Sequence, residues 1–269
     1  MRIIVILASW LLPLTVFAQE TVHVKGRIVN EQGETVEYVH VGIPKYETGT
    51  VSSLDGRFEI DVPADTLEFH HVSYETAAYP LTGPEEDLVI VLRELELPPA
   101  VSIGGNTKEK LLVKPGTKVP GGVGDFHRPD GTVKGMELGT VATARKPFLI
   151  QHILFTILSN RISGCVAAIN IYRIEGEPET FVNVLRRPIY VTVPVSDAAQ
   201  LFDIRPDETI LLEPGRYFVA FQLLDCEISQ EHLITPLYLK SSYQRSVALG
   251  EMKHFPVNIG ISVKGLEYN

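Results

Sequence analysis

From Thr21 onward the chain is written in short runs of two-residue alternation, each cut by Gly, Pro, Asn or Asp before it grows long. No stretch repeats apolar residues at three- and four-residue spacing over three helical turns. An all-β fold follows. Val22, Val24 and Ile28 flank Gly26, and Asn30-Glu31-Gln32-Gly33 supplies a turn before Val36, Val39, Val41 and Ile43. A second hairpin is expected from Gly49-Thr50-Val51-Ser52, a turn at Leu54-Asp55-Gly56, and Phe58 to Val62, whose alternation puts Phe58, Ile60 and Val62 on one face. Leu67, Phe69 and His71 share another face, and Leu88 to Leu92 closes this first unit near Arg93.

Residues 94–132 change character. Pro98, Pro99, Pro115, Pro120 and the glycines at 104, 105, 116, 121, 122 and 124 crowd a stretch with few large apolar residues, which reads as a linker with a strand or single turn at Lys108 to Leu112. Strand rhythm resumes over 133–269. Nine strands are expected: Glu137–Ala144, His152–Leu158, Val166–Ile174, Ile189–Val193, Gln200–Ile204, Thr209–Leu212, Tyr217–Leu224, Leu237–Lys240 and Val257–Val263. That number in so short a span implies a larger, jelly-roll-like sandwich, with Glu175-Gly176-Glu177-Pro178 and Glu213-Pro214-Gly215-Arg216 as turns.

The remaining long apolar run, Ile3 to Phe17, follows Arg2 and ends in Val16-Phe17-Ala18, with small or branched residues where a signal peptidase reads. It contains Pro13 and is shorter than the roughly 20 residues a membrane span needs, so residues 1–18 read as a secretory signal peptide cleaved before Gln19. No cysteine stands at the cleavage point for lipid attachment, and no later run is long enough for a transmembrane helix. The expected location is exported, either periplasmic or at the cell surface. Across 269 residues, 24 Lys plus Arg face 33 Asp plus Glu, a net charge of -9, which disfavours tracking of nucleic-acid phosphates.

Motif-borne chemistry is missing. His23, His40, His70, His71, His127, His152, His232 and His254 include no His-Glu-x-x-His and no paired spacing with Cys. His70-His71 are strand neighbours and are expected to point to opposite faces. There is no Gly-x-Ser-x-Gly elbow, Ser-x-x-Lys pair or Gly-x-x-x-x-Gly-Lys loop, and Gly121-Gly122-Val123-Gly124 reads as flexible linker. Glu175, Glu177 and Glu179 surround a hairpin tip and read as a solvated turn, because a glycosidase needs a carboxylate pair set across a cleft. Tyr172, Tyr190, Tyr217 and Tyr238 read as core or sheet-edge packing. Trp10 lies in the signal segment, which leaves the mature chain without the aromatic that sugar sites favour. Cys165 and Cys226 are either two small buried thiols or a disulfide, which would stabilise by up to roughly 4 kcal/mol in the chain-entropy account. No catalytic, cofactor-binding or metal-binding residue is put forward, and no cofactor is expected.

Residues 22–93 resemble the carboxypeptidase regulatory-like domain, a transthyretin-like sandwich of seven strands. The resemblance lies in Val24-Lys25-Gly26-Arg27-Ile28-Val29-Asn30, Gly33, Val39-His40-Val41, Gly49-Thr50-Val51-Ser52, Gly56-Arg57-Phe58 and Asp65-Thr66-Leu67, ending at Ser73-Tyr74. The chain departs from the family pattern at Glu34-Thr35, where proline is common, and at Ser53. The resemblance implies a structural or interaction module without catalysis. The organisation expected is thus signal peptide 1–18, first sandwich 19–93, linker 94–132 and second sandwich 133–269. The function expected is non-enzymatic binding or scaffolding in the bacterial cell envelope, toward a protein or envelope partner and not nucleic acid. The rivals are a glycan-binding module and a hydrolase assembled from scattered residues of the second sandwich.

Overall fold

A computed structural model describes residues 21–96, 105–127 and 133–268. The signal-peptide segment lies outside the described residues. The fold is all-β, built from sheets packed face to face as sandwiches.

The first seven strands are β1 (Thr21–Asn30), β2 (His40–Ile43), β3 (Thr48–Val51), β4 (Arg57–Pro63), β5 (Thr66–His71), β6 (Tyr74–Pro80) and β7 (Glu85–Leu92). They form a three-stranded sheet in the order β4-β1-β7 and a four-stranded sheet in the order β3-β2-β5-β6. Only the β1–β7 contact is parallel in this unit. Alternation fills the space between the sheets with Val24, Ile28, Val41, Phe58, Phe69 and Leu92. Phe58 and Phe69 meet edge to face at 5.6 Å. Gly26 has no alternative, because a Cβ there would lie 2.8 Å from the Phe58 ring and 2.4 Å from the Leu88 carbonyl oxygen. In the turn after β1, the Asn30 side chain accepts hydrogen bonds from the Gln32 and Glu34 amides.

The remaining strands are β8 (Thr107–Val113), β9 (Thr117–Asp125), β10 (Glu137–Ala144), β11 (Phe148–Ile157), β12 (Ser159–Asn160), β13 (Cys165–Glu175) and β14 (Thr180–Asn183). They continue with β15 (Ile189–Val193), β16 (Gln200–Ile204), β17 (Leu211–Leu212), β18 (Gly215–Asp225), β19 (Leu233–Arg245), β20 (Lys253–Asn258) and β21 (Ser262–Tyr268). The larger sheet has nine strands, with β12-β19-β10-β18-β13-β14 as its main path and β9, β15 and β20 paired beside it. The facing five-stranded sheet runs β16-β11-β21-β8, with β17 on β11. Phe148, Ile153, Ile169, Phe221 and Val263 are among the side chains buried between them.

Three expectations need correction. Residues 94–132 are not simply a linker: β8 pairs with β21 and β9 with β19, so this segment adds a strand to each sheet of the second sandwich. Gly121-Gly122-Val123-Gly124 belongs to β9. Gly124 lets β9 approach β19, since a Cβ there would lie 2.7 Å from Thr235 Oγ1, and Gly121 adopts φ +67 near a register shift. Backbone pairing, which needs no large side chain, holds this strand in place. Finally, Val257–Val263 is two strands and not one. Gly260, at φ +74, turns the chain between β20, which joins the nine-stranded sheet, and β21, which joins the five-stranded one.

Candidate functional site

The two sandwiches meet on the outer face of the nine-stranded sheet. Tyr38 and Val51 of the first unit pack with Ala168, Leu224 and Ala248 of the second. Tyr38 stacks edge-on against Tyr190 at 5.0 Å, the Ser73 hydroxyl donates to the Arg186 carbonyl at 3.3 Å, and Lys253 bridges to Glu47 at 2.6 Å. Gly49 sits against the Ala248 backbone so closely that a Cβ would fall 1.9 Å from its carbonyl oxygen. Beside this seam lies a cleft of about 500 Å³, walled by His40, His70 and His71 on one side and by Asn170, Gln222 and Arg245 on the other.

The second wall is a polar row laid across four neighbouring strands. Arg245 on β19 stands directly opposite Glu137 on β10, and Glu137 directly opposite Gln222 on β18. Asn170 on β13 completes the row diagonally, opposite Ala220. Glu137 and Gln222 are wholly buried. The Asn170 amide donates to Glu137 Oε1 at 2.8 Å and to Gln222 Oε1 at 2.9 Å, while the Tyr172 hydroxyl donates to Glu137 Oε1 at 3.1 Å. Gln222 donates in turn to the Gly135 carbonyl at 3.2 Å. Arg245 approaches Glu137 Oε2 at 3.7 Å, an ion contact too long for a hydrogen bond, and Glu137 Oε2 and Arg245 Nε are both without hydrogen-bond partners. The guanidinium also lies over the Tyr172 ring at 5.7 Å.

Burial sets the electrostatics. It pushes the Glu137 carboxyl up, against the opposing pull of Arg245, Asn170 and Tyr172. It drives His40 down to about 3, helped by the Arg245 charge and by His71 and His70, with Gln222 pulling the other way. Burial alone brings His71 down to about 4. Both rings are therefore neutral at neutral pH. His71 Nε2 lies 3.3 Å from the Tyr190 hydroxyl, and its Nδ1 accepts from the Ser73 amide at 3.2 Å.

His70 and His71 both line the cleft, although strict alternation would part them; the β5–β6 register shifts between Phe69 and His71, and that irregularity breaks the two-residue rule. His70 is engaged by Glu68 at 2.8 Å. Elsewhere three histidines each meet an aspartate at 2.7 Å through Nδ1: His23 with Asp61, His152 with Asp203 and His232 with Asp125. His127 stacks on His232 at 4.4 Å, and His254 meets the edge of Tyr243 at 5.9 Å. Among the described residues no three His, Cys, Asp or Glu side chains converge as a metal site would require.

Glu179 is more than a solvated turn residue, since it accepts from Arg216 at 2.6 Å and from the Tyr243 hydroxyl, and both bonds hold its carboxyl below the usual range. Glu175 pairs with Arg173 at 3.0 Å. Tyr172 packs on the outer face with Phe218, Phe181 and Tyr243, and Tyr217 is in the core with its hydroxyl on the Glu213 carbonyl at 2.6 Å. Cys165 is a buried free thiol and Cys226 a half-buried one. A second, wider groove of about 1360 Å³ runs along the three-stranded sheet. Its charges are spoken for in part, as Lys25 with Glu59 at 3.5 Å, and it contains no buried polar row.

No known family matches the chain, and no curated protein matches it. Among solved structures, a DUF3823 family protein from Bacteroides ovatus is similar at 11% identity and a TM-score of 0.22, over 86% of this chain and 100% of that one. The infectious bursal disease virus VP2 subviral particle is similar at 12% identity and a TM-score of 0.28, over 86% of this chain and 53% of that one. At these TM-scores neither likeness carries an argument about this chain. Among the described residues no helix is long and apolar enough to cross a membrane.

Proposed function

We propose that this chain is an exported, non-enzymatic binding protein of the bacterial cell envelope, and that it holds its ligand in the cleft between the two sandwiches. The observation that carries the reading is the buried row Arg245–Glu137–Gln222–Asn170 facing three histidines. Apolar packing would close a purely structural seam at less cost than burying a carboxylate, a guanidinium and two amides. The cleft falls within the usual range for small-molecule sites, roughly 300–1,000 Å³. Two non-glycine residues in the left-handed region, Tyr38 at φ 52 and Leu249 at φ 58, also line it, and such strain gathers at binding sites. The Ile3–Phe17 segment supports export, and the resemblance of residues 22–93 to the carboxypeptidase regulatory-like domain supports an interaction module.

Charge in the cleft is balanced. Glu137 and Arg245 offset each other and His40 and His71 are neutral, which suits an uncharged polar ligand better than a free anion or cation. The test is to purify the protein from envelope extracts of its host, denature it and identify by mass spectrometry what is released. An uncharged polar compound, released by the native chain and not by Asn170→Leu, is the expected result. The hydrolase reading is favoured by one observation: Asp125 orients His232, and Asp125 Oδ1 and His127 Nδ1 beside it are buried without partners. Turnover of an ester, peptide, glycoside or phosphoester that disappears in His232→Gln would replace the binding reading with that one.

A further inference from the structure

Cys165 opens β13 and Cys226 follows directly on the end of β18, and these two strands are neighbours in the nine-stranded sheet. Val166 pairs with Asp225, so one step further along the same antiparallel register Cys165 faces Cys226. The strands stay together beyond that point, because the Glu227 amide donates to the Ser163 carbonyl at 3.0 Å. Directly opposed residues of an antiparallel pair have Cα atoms about 4.5–5.5 Å apart, inside the roughly 4.4–6.8 Å window that a disulfide needs. We propose that Cys165 and Cys226 are a thiol pair that closes into a cross-strand disulfide, with Cys226 reacting first and Cys165 resolving.

The order follows from access and charge. Cys165 is 1% exposed, enclosed by Asn160 and by the Ile162 carbonyl, which its thiol meets at 3.3 Å. Cys226 is half-buried and lines the wide groove beside Lys134, whose ammonium bridges to Asp225 at 2.5 Å. The Cys226 thiol is held below its usual range, first by the Cys165 thiol and then by Lys134, while Cys165 is pushed up by Cys226 and by burial. The oxidant is a disulfide of the exchange type. The Cys226 thiolate attacks one of its sulfurs and forms a mixed disulfide, and one thiolate leaves. Cys165 then gives up its proton and attacks Cys226 Sγ, expelling the second thiolate, so two protein thiols become one cystine and the donor disulfide becomes two thiols. In the cell this rests on export to a compartment that supplies such a donor; the chemistry itself does not.

The test treats the reduced, folded full chain with oxidised glutathione, alkylates what remains and reads the intact mass and tryptic map. The expected result is a mass lower by two hydrogens, no alkylation at either cysteine, and the Cys165 and Cys226 peptides joined. Cys165→Ser should instead accumulate a single glutathione adduct on Cys226, and Cys226→Ser should remain an alkylatable thiol. Two alkylatable thiols in the treated native chain overturn the proposal whatever the variants do, because that measurement needs no substitution. An adduct on Cys165 in Cys226→Ser, forming as fast as the wild type oxidises, would overturn the assigned order.

Discussion

The two faces of the nine-stranded sheet are both buried, and they are buried by different chemistry. On the inner face Ala167, Ile169 and Ile171 of β13 and Val219, Phe221 and Leu223 of β18 join one apolar cluster with the facing sheet, and the buried Thr140 opposite Val219 is satisfied by Asn258 and the Ile261 amide. One residue out of phase, the outer face offers Ala168, Asn170 and Tyr172 on β13 with Phe218, Ala220, Gln222 and Leu224 on β18. There the cover comes from the first sandwich at one end and from the cluster of Phe181, Tyr243 and Phe218 at the other, with the polar row between them. A carboxylate and a guanidinium thus stand where the covering surface leaves a cleft, while the layer between the two sheets is built mainly of apolar side chains. A face closed only for stability tends to lose its carboxylates, because a buried ion pair contributes little net stabilisation.

The largest effect should come from dividing the ion pair. Arg245→Met leaves Glu137, wholly buried, without its cation, and should destabilise by about 3–5 kcal/mol in denaturant unfolding. Replacing both partners, as Glu137→Leu with Arg245→Met, should recover most of that loss, because neither charge then remains in the seam. A single-variant loss below about 1 kcal/mol would show that Glu137 is solvated in the folded protein and that the row is not held by its ion pair.

The next effect is a pH dependence belonging to the outer face alone. His40 is lowered to about 3 and His71 to about 4, so between those values and the ordinary 6.5 the unfolded chain binds protons that the folded chain refuses. Stability from these rings is therefore complete above about pH 6.5 and falls as the pH drops toward 3. For His40, Arg245 opposes protonation from across the cleft, as do the neighbouring imidazoles of His71 and His70, while a hydrogen bond with Gln222 favours it. Because the cleft is open to water, a screened value of about 2 kcal/mol for His40 is expected. The stabilities of wild type and His40→Gln should differ by a constant amount above about pH 6.5 and draw together as the pH falls toward 4. Parallel curves across that range would mean that His40 is solvated in the folded protein.

How far this contrast was legible in the sequence depends on the strand. Glu137–Ala144, Ile189–Val193 and Gln200–Ile204 are bounded as the alternation and its turn residues indicate, because each is a short run ended by Gly, Pro, Arg or Asp. β9 was hidden because Pro120 and its three glycines give it no side-chain signature, and backbone pairing to β19 leaves none in the sequence. The polar row was hidden for another reason. Glu137, Asn170, Gln222 and Arg245 are far apart along the chain and meet only through the order β19-β10-β18-β13. Yet each amide carries a local sign. Ile169-Asn170-Ile171 and Phe221-Gln222-Leu223 set one polar residue inside a long apolar strand, and a buried amide there must find partners on neighbouring strands.

The smallest effect tests the inner face, and it works because it should be dull. Ile169 is wholly buried, with cross-strand partners Phe221 on one side and Ile189 on the other, so Ile169→Val removes one methyl from a closed apolar layer. The loss should be about 0.5–1.5 kcal/mol, the usual range for that change in a core. Among the described residues, the titratable members of the apolar cluster around it are the Cys165 thiol and the Tyr217 phenol, whose pKa values are both raised. The loss should therefore be the same at pH 4 and pH 8, whereas that from His40→Gln should not be. It should also add to the loss from Arg245→Met within a few tenths of a kcal/mol, since the two side chains lie on opposite faces and share no partner. A clear departure from additivity in unfolding measurements of the double variant would mean that the faces communicate through the sheet, and the polar row would then belong to the stability of the core as much as to the cleft.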